Sequence, residues 1–363
     1  WNFPCITIGV NSGKRILIMT MPRYSQLSLE DTLWYHCVSR CVRQAYLCGS
    51  DHTTGQSYEH RRDWVMQRIK KLAAIFTIDV AAYAVMSNHY HIVVRVDNER
   101  PDELTTEEVV NRWAQLYKGP ILISRYLSDQ RNDMSEGELF RVEELAAVYR
   151  ERLCNLSWFM KNLNEHIARK ANKEDKVKGH FWESRYKCQA LLDDKALLTA
   201  MAYVDLNPVR AVMAKTPEES EFTSICERMR ELKPCRESVN MGDDVVVTEQ
   251  GEVAEPSAPL MPFAGSGVVV SAIPFALHDY LELVDWGGRV LYPDKRGAID
   301  ADVPHVLRRI GIDPALFIQC AGDFMYIFGL TVGSPQAMAA CCARRQVKFL
   351  RGMKASREML SVA

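Results

Sequence analysis

The sequence predicts an α+β fold, an antiparallel sheet with helices on one face, followed by a mainly helical C-terminal unit. Three observations lead there. Ile78–Met86 and His89–Val96 are extended apolar runs separated only by Ser87 and Asn88, the pattern of a two-residue hairpin. Segments with helical spacing of apolar residues surround that hairpin. From about Lys233 to Gly267 the composition becomes acidic and Pro- and Gly-containing before apolar patterning resumes.

In chain order, Trp34–Arg40 reads as a first strand, and Tyr58–Phe76 as a helix with Trp64, Val65, Ile69, Leu72 and Ile75 inward. After the hairpin, about Thr105 to Lys170 is mostly helical, with Leu156–Ala168 strongly periodic, and reads as an inserted helical subdomain. Tyr186–Leu192 reads as a further strand. From Asp194 the residues Leu197, Leu198, Met201 and Val204 trace a helix that Pro208 stops. Laid across the sheet, that helix carries Tyr203 toward the hairpin, which gives the layered α+β arrangement. The expected organisation is therefore an N-terminal segment (1–30), a main domain (31–232), a linker (233–267) and a C-terminal unit (268–363). The last of these opens with the apolar stripe Phe275–Trp286 and ends in basic Arg344, Arg345, Lys348, Arg351 and Lys354. Trp1 is no ordinary initiator, and Met21 is the expected native start.

Composition narrows the class. A chain of 363 residues suits two domains, and 47% hydrophobic with 25% charged residues describes a globular protein with a sizeable core. A net charge of −1 excludes a uniformly basic nucleic-acid binder, so any DNA contact must be local. The 11 cysteines are an odd number without a Cys-x-x-Cys pair, which argues against a disulfide framework or zinc ribbon. Cys37 and Cys41, near His36, receive no role. No run approaches the roughly 20 apolar residues of a membrane span, so the expected location is the cytoplasm, with no membrane partner.

The chemistry-bearing residues fall in two places. His89 and His91 alternate along a strand and so share a face, where two neutral imidazoles can ligate a divalent metal that polarises a phosphoryl oxygen. The same spacing also occurs on solvated strand faces that hold no metal. Tyr203 and Asn207, four apart, share a helix face. A tyrosine can attack phosphorus covalently while an amide oxygen completes the metal site, although a core tyrosine with an asparagine near the helix end has the same pattern. Between Lys161 and Lys187, Arg169, Lys170, Lys173, Lys176, Lys178 and Arg185 outnumber four carboxylates, with Phe181, Trp182 and Tyr186 interleaved. Single-stranded nucleic acid calls for such a mixture; a solvated helix with an aromatic anchored in the core is the alternative.

Three ordered motifs resemble the single-tyrosine HUH transposases, including those associated with repetitive extragenic palindromes (REP). They are Met86-Ser87-Asn88-His89-Tyr90-His91-Ile92-Val93-Val94, then Gly179 to Lys187 with its Trp182-x-x-Arg185-Tyr186-Lys187 core, then Tyr203 to Ala211 with its Asn207-Pro208-Val209-Arg210 ending. The resemblance spans roughly residues 31 to 215 and departs from the family at Tyr90, where an aliphatic residue is usual. It implies an HUH, ferredoxin-like catalytic domain, Tyr203 as nucleophile, and Mg²⁺ or Mn²⁺ on His89, His91 and Asn207. It also implies Trp182, Arg185, Lys187 and Arg210 as DNA contacts, a hairpin-bearing single-stranded DNA substrate, and a tyrosine acting within a monomer or across a homodimer. A DNA-hairpin-binding protein without turnover and a metal hydrolase using water are the competing classes.

Overall fold

A computed structural model describes residues 27–42, 47–49, 55–232, 256–264, 271–291 and 304–359. The N-terminal segment up to residue 26 and most of the expected linker lie outside the described residues. The order is β1 (Trp34–Arg40), α1 (Arg61–Ile75), β2 (Ile78–Val85), β3 (His89–Val96), α2 (Arg100–Glu103), α3 (Thr106–Ala114), α4 (Ile121–Tyr126), α5 (Glu136–Leu153), α6 (Leu156–Glu174), β4 (Lys187–Leu191), α7 (Asp194–Asp205) and α8 (Asn207–Arg210). It continues through α9 (Ser224–Leu232), α10 (Leu277–Leu291), α11 (His305–Ile310), α12 (Pro314–Ile327), β5 (Thr331–Val332), α13 (Pro335–Arg344) and α14 (Met353–Met359).

The five strands run β2-β3-β1-β4-β5. The first three contacts are antiparallel, but β4 and β5 are parallel, so the sheet is mixed and the expectation of a purely antiparallel one is corrected. The β2–β3 hairpin closes through Met86 N to His89 O at 2.8 Å, leaving Ser87 and Asn88 as its two-residue turn. A bulge between Val80 and Ala82 lets three alanines, Ala81, Ala82 and Ala84, pack against the α7 side of the sheet.

Helices cover both faces, not one. Tyr35, Cys37, Tyr83, Tyr90, Ile92 and Val94 belong to a core with residues of α1, α5 and α6. Ala82, Ala84, Val93 and Leu191 belong to a second core with residues of α7, α10 and α12. The cause is legible in β2, where seven of eight residues are buried; a strand apolar on both sides must be covered on both. The second cover comes largely from beyond residue 270: β5 extends the sheet and α12 packs on α7.

Side chains set the helix starts. Thr105 with Glu108 and Ser135 with Glu138 form reciprocal capping boxes on α3 and α5. Asp193 caps α7 by accepting from Ala196 N and also accepts from Ser334 N at 2.6 Å, tying the α7 entry to the start of α13. Gly287 in α10 faces Leu206, where a Cβ would lie 3.0 Å from a leucine methyl, so the glycine permits close approach beside Asn207. Asp205, fully buried, accepts from Ser224 Oγ, Ile225 N and Tyr280 Oη, which ties α7 to α9 and α10. Arg344 and Arg345, part of the basic run near the C-terminus, pair with Asp31 at 2.9 and 2.7 Å and tie α13 to the segment before β1. Among the described residues no helix is long and apolar enough to cross a membrane.

Candidate active site

Alternation fixes what the sheet presents to α7. His89 and His91 on β3, His36 on β1 and Gln189 on β4 lie on that face; opposite His91 stand Val38 and Ala84. Tyr90, at the position where the resemblance departs from its family, points to the other core, is buried and donates to Asn164 Oδ1 at 2.7 Å.

The His89 and His91 rings meet edge-on with centroids 4.9 Å apart. His91 Nε2 is 3.0 Å from Asn207 Nδ2, and its Nδ1 is 2.9 Å from His36 Nε2. His36 Nδ1 is 2.9 Å from Gln189 Oε1, and Gln189 Nε2 donates to Gly329 O at 2.7 Å. His89 Nδ1 is 2.6 Å from Asn88 Oδ1 in the hairpin turn, which leaves its Nε2 lone pair unused by that bond. Burial lowers His36 to about 4 and, with the charges of Arg40 and Arg210, His89 to about 3; it drives His91 well below the usual range, helped by the other two histidines. All three are neutral at pH 7, the form that ligates metals.

Tyr203 is packed on this cluster. Its ring lies edge-on to His91 at 5.4 Å and to His36 at 5.9 Å, and stacks on Phe324 of α12 at 5.6 Å. Only 4% of its surface is exposed. Burial pushes its phenol up, while the Arg210 charge and hydrogen bonds from Arg210 and Asn207 act the other way. The Arg210 guanidinium lies 5.0 Å from the Tyr203 ring centre, donates to Asn207 Oδ1 at 3.0 Å and also bonds Gly322 O. Asn207 follows α7 across Leu206, whose backbone stays near helical, so Tyr203 and Asn207 keep their common face.

Four of the residues singled out in the sequence, Tyr203, His89, His91 and Asn207, thus meet in one cluster. The donor set suits a divalent cation in kind: two neutral imidazoles and an amide. Asn207 turns its nitrogen toward His91, so its oxygen would have to swing round to ligate. Among the described residues no group of three His, Cys, Asp or Glu is arranged to hold a metal; the candidate set has only two such residues, His89 and His91.

The four residues expected to contact DNA separate. Arg210 is in the cluster, committed to Asn207 and Gly322. Arg185 and Lys187 are exposed, Lys187 in register with Val38 and thus in line with His91. Trp182 sits on the opposite face: its ring meets Tyr90 and Phe181, its indole N–H donates to Asn164 O at 2.8 Å, and its backbone bridges to Cys41. Of the basic stretch, Lys161 and Lys170 lie over the Trp158 and Trp64 rings at 4.6 and 4.1 Å. His36, Gln189 and Phe324 were not anticipated. The first two are legible as polar residues at mid-strand positions flanked by apolar neighbours; nothing local marks Phe324.

No family model and no curated protein matches this chain. A solved structure described as that of the REP-associated tyrosine transposase bound to a REP hairpin is similar over 62% of this chain and 92% of its own. The identity is 12% and the TM-score 0.31, at which no residue correspondence follows.

Proposed function

We propose that the protein is a cytoplasmic DNA transposase that cleaves and rejoins single-stranded DNA beside hairpins, with Tyr203 as nucleophile. The observation that carries this reading is the meeting of Tyr203, Asn207, His91 and His89, drawn from segments more than a hundred residues apart, at ring separations of 4.9 and 5.4 Å. Structural packing alone gives no reason for a phenol, two neutral imidazoles and an amide to meet at one point, with His89 at its half-buried edge.

In this reading Tyr203 Oη gives up its proton to solvent and bonds to phosphorus, the bond from phosphorus to the 3′ oxygen breaks, and that oxygen takes a proton. A 5′-phosphotyrosine and a free 3′-hydroxyl result, and the hydroxyl can later reverse the step. Mg²⁺ or Mn²⁺ held by His89, His91 and Asn207 would polarise the phosphoryl oxygens. Arg210 offsets part of the cost of forming the buried phenolate, and Arg185 and Lys187 meet the DNA backbone. Whether one chain or a homodimer supplies the complete set is decided by mixing Tyr203 and His91 variants and looking for restored cleavage.

One observation favours a second reading, a DNA-hairpin-binding protein without turnover: Phe324 stacks on Tyr203 and leaves it 4% exposed. Incubation with a labelled hairpin oligonucleotide and Mn²⁺, followed by denaturing electrophoresis, separates the two. The transposase reading expects an adduct that Tyr203→Phe abolishes while binding persists. Binding without any adduct in the unaltered protein would select the second reading.

A further inference from the structure

We propose that His36 is a positioning residue that, with Gln189, holds His91 in a single tautomer whose Nε2 lone pair faces Asn207. The argument is one of direction along a chain of hydrogen bonds. At one end is the Gly329 carbonyl, which can only accept, so the Gln189 group 2.7 Å away is its NH₂ and its oxygen faces His36. His36 Nδ1 therefore carries the proton toward that oxygen, and its Nε2 must accept from His91 Nδ1 at 2.9 Å. At the other end is Arg210, which can only donate, so Asn207 turns its oxygen to the guanidinium and its NH₂ to His91 Nε2 at 3.0 Å. Both ends impose the same direction, and every link between them agrees: Arg210 to Asn207 to His91 to His36 to Gln189 to Gly329.

The near-parallel His36 and His91 rings, 12° apart with centroids at 5.2 Å, fit one imidazole fixed by another. Both ends of the chain are also tied to the segment around α12: Arg210 also donates to Gly322 O, and Gly329 lies just beyond the helix. A histidine whose Nδ1–H is engaged offers Nε2 to a ligand, and the group that engages it sets both ring angle and basicity. The tautomer follows from the geometry alone; its use in holding a cation rests on the proposed function.

The test is a long-range proton–nitrogen correlation spectrum of the protein labelled with ¹⁵N-histidine, without metal, joined to Mn²⁺ titration of the same samples. The unaltered protein should show His91 protonated at Nδ1 only. His36→Gln, whose amide can donate to Gln189 and accept from His91, should keep that tautomer and the Mn²⁺ affinity. His36→Phe should lose the single tautomer and weaken Mn²⁺ binding by about 10- to 100-fold. His91 protonated at Nε2 in the unaltered protein, or a His36→Phe protein unchanged in both readouts, overturns the proposal. If His36→Phe does not fold, the spectrum of the unaltered protein decides. An unaltered protein with the expected tautomer but no Mn²⁺ binding would support the positioning role and refute the metal reading of the site.

Discussion

Replacing Phe324 with alanine tests the least expected feature of the structure, the docking of α12 on the tyrosine helix. Phe324 is fully buried, and its ring meets Tyr203 at 5.6 Å, His36 at 5.9 Å and Phe328 at 5.2 Å. Removing a buried phenylalanine costs about 3–5 kcal/mol through lost burial and the cavity left behind. Specific ring geometry adds about 0.5–1.5 kcal/mol per pair, and with three such contacts the loss should lie toward the upper end of that range. The assay is urea unfolding followed by tryptophan fluorescence, with Phe324→Leu as a control that keeps most of the volume and should cost under about 2 kcal/mol. A loss below about 1 kcal/mol for the alanine variant would refute the packing of α12 on Tyr203. Per folded molecule, the alanine variant should also form the covalent DNA adduct faster, since the cover over the phenol is thinner.

Three other outcomes are expected. His36 is held near 4 by burial against about 6.5 in the unfolded chain, which therefore takes up the extra proton as pH falls through that window. Stability should drop on acidification, by about 2 kcal/mol from this residue between pH 7.5 and 5, and His36→Gln should remove that share of the loss in urea melts at the two pH values. Asp205 behaves oppositely: burial raises it to about 6, so the folded chain binds the proton more tightly and this contribution declines as pH rises from about 4 to 6. Asp205→Asn should flatten that limb of the stability curve; an unchanged pH dependence would show that the carboxyl is not buried as described. His91→Ala, or excess chelator with the unaltered protein, should abolish oligonucleotide cleavage, and undiminished cleavage in chelator would count against metal assistance.

Much of the local structure was legible. Trp34–Arg40 and His89–Val96 have the strand bounds their alternation suggests, and the hairpin turn falls on Ser87 and Asn88. The meeting of His91 with Asn207 follows from one strand face and one helix face, each readable from spacing. What escaped depended on long-range pairing. β5 has two residues, too few to carry a pattern, yet it makes the sheet mixed. Trp182 and Arg185 are three apart in sequence, but the backbone bridge at Cys41 turns the indole to the far core while Arg185 stays exposed. His36 sits beside His91 only through the pairing of β1 with β3 and β4, a long-range register that no local pattern around Cys37 and Cys41 carries. The helices on both faces are foreshadowed by β2, whose residues are apolar on either side and include the small Ala81, Ala82 and Ala84.

The parallel pairing of β5 with β4 bears on how the gene could be shortened. Thr331 and Val332 occupy what would otherwise be a bare flank of the sheet, and α10 and α12 shield apolar residues of α7 such as Leu197, Met201 and Val204. A fragment ending at residue 232 would leave unpaired amides and carbonyls along β4 beside an uncovered greasy helix, the combination that templates edge-to-edge stacking between copies. Such a fragment should precipitate under conditions in which the full chain stays dispersed, a difference that light scattering would register.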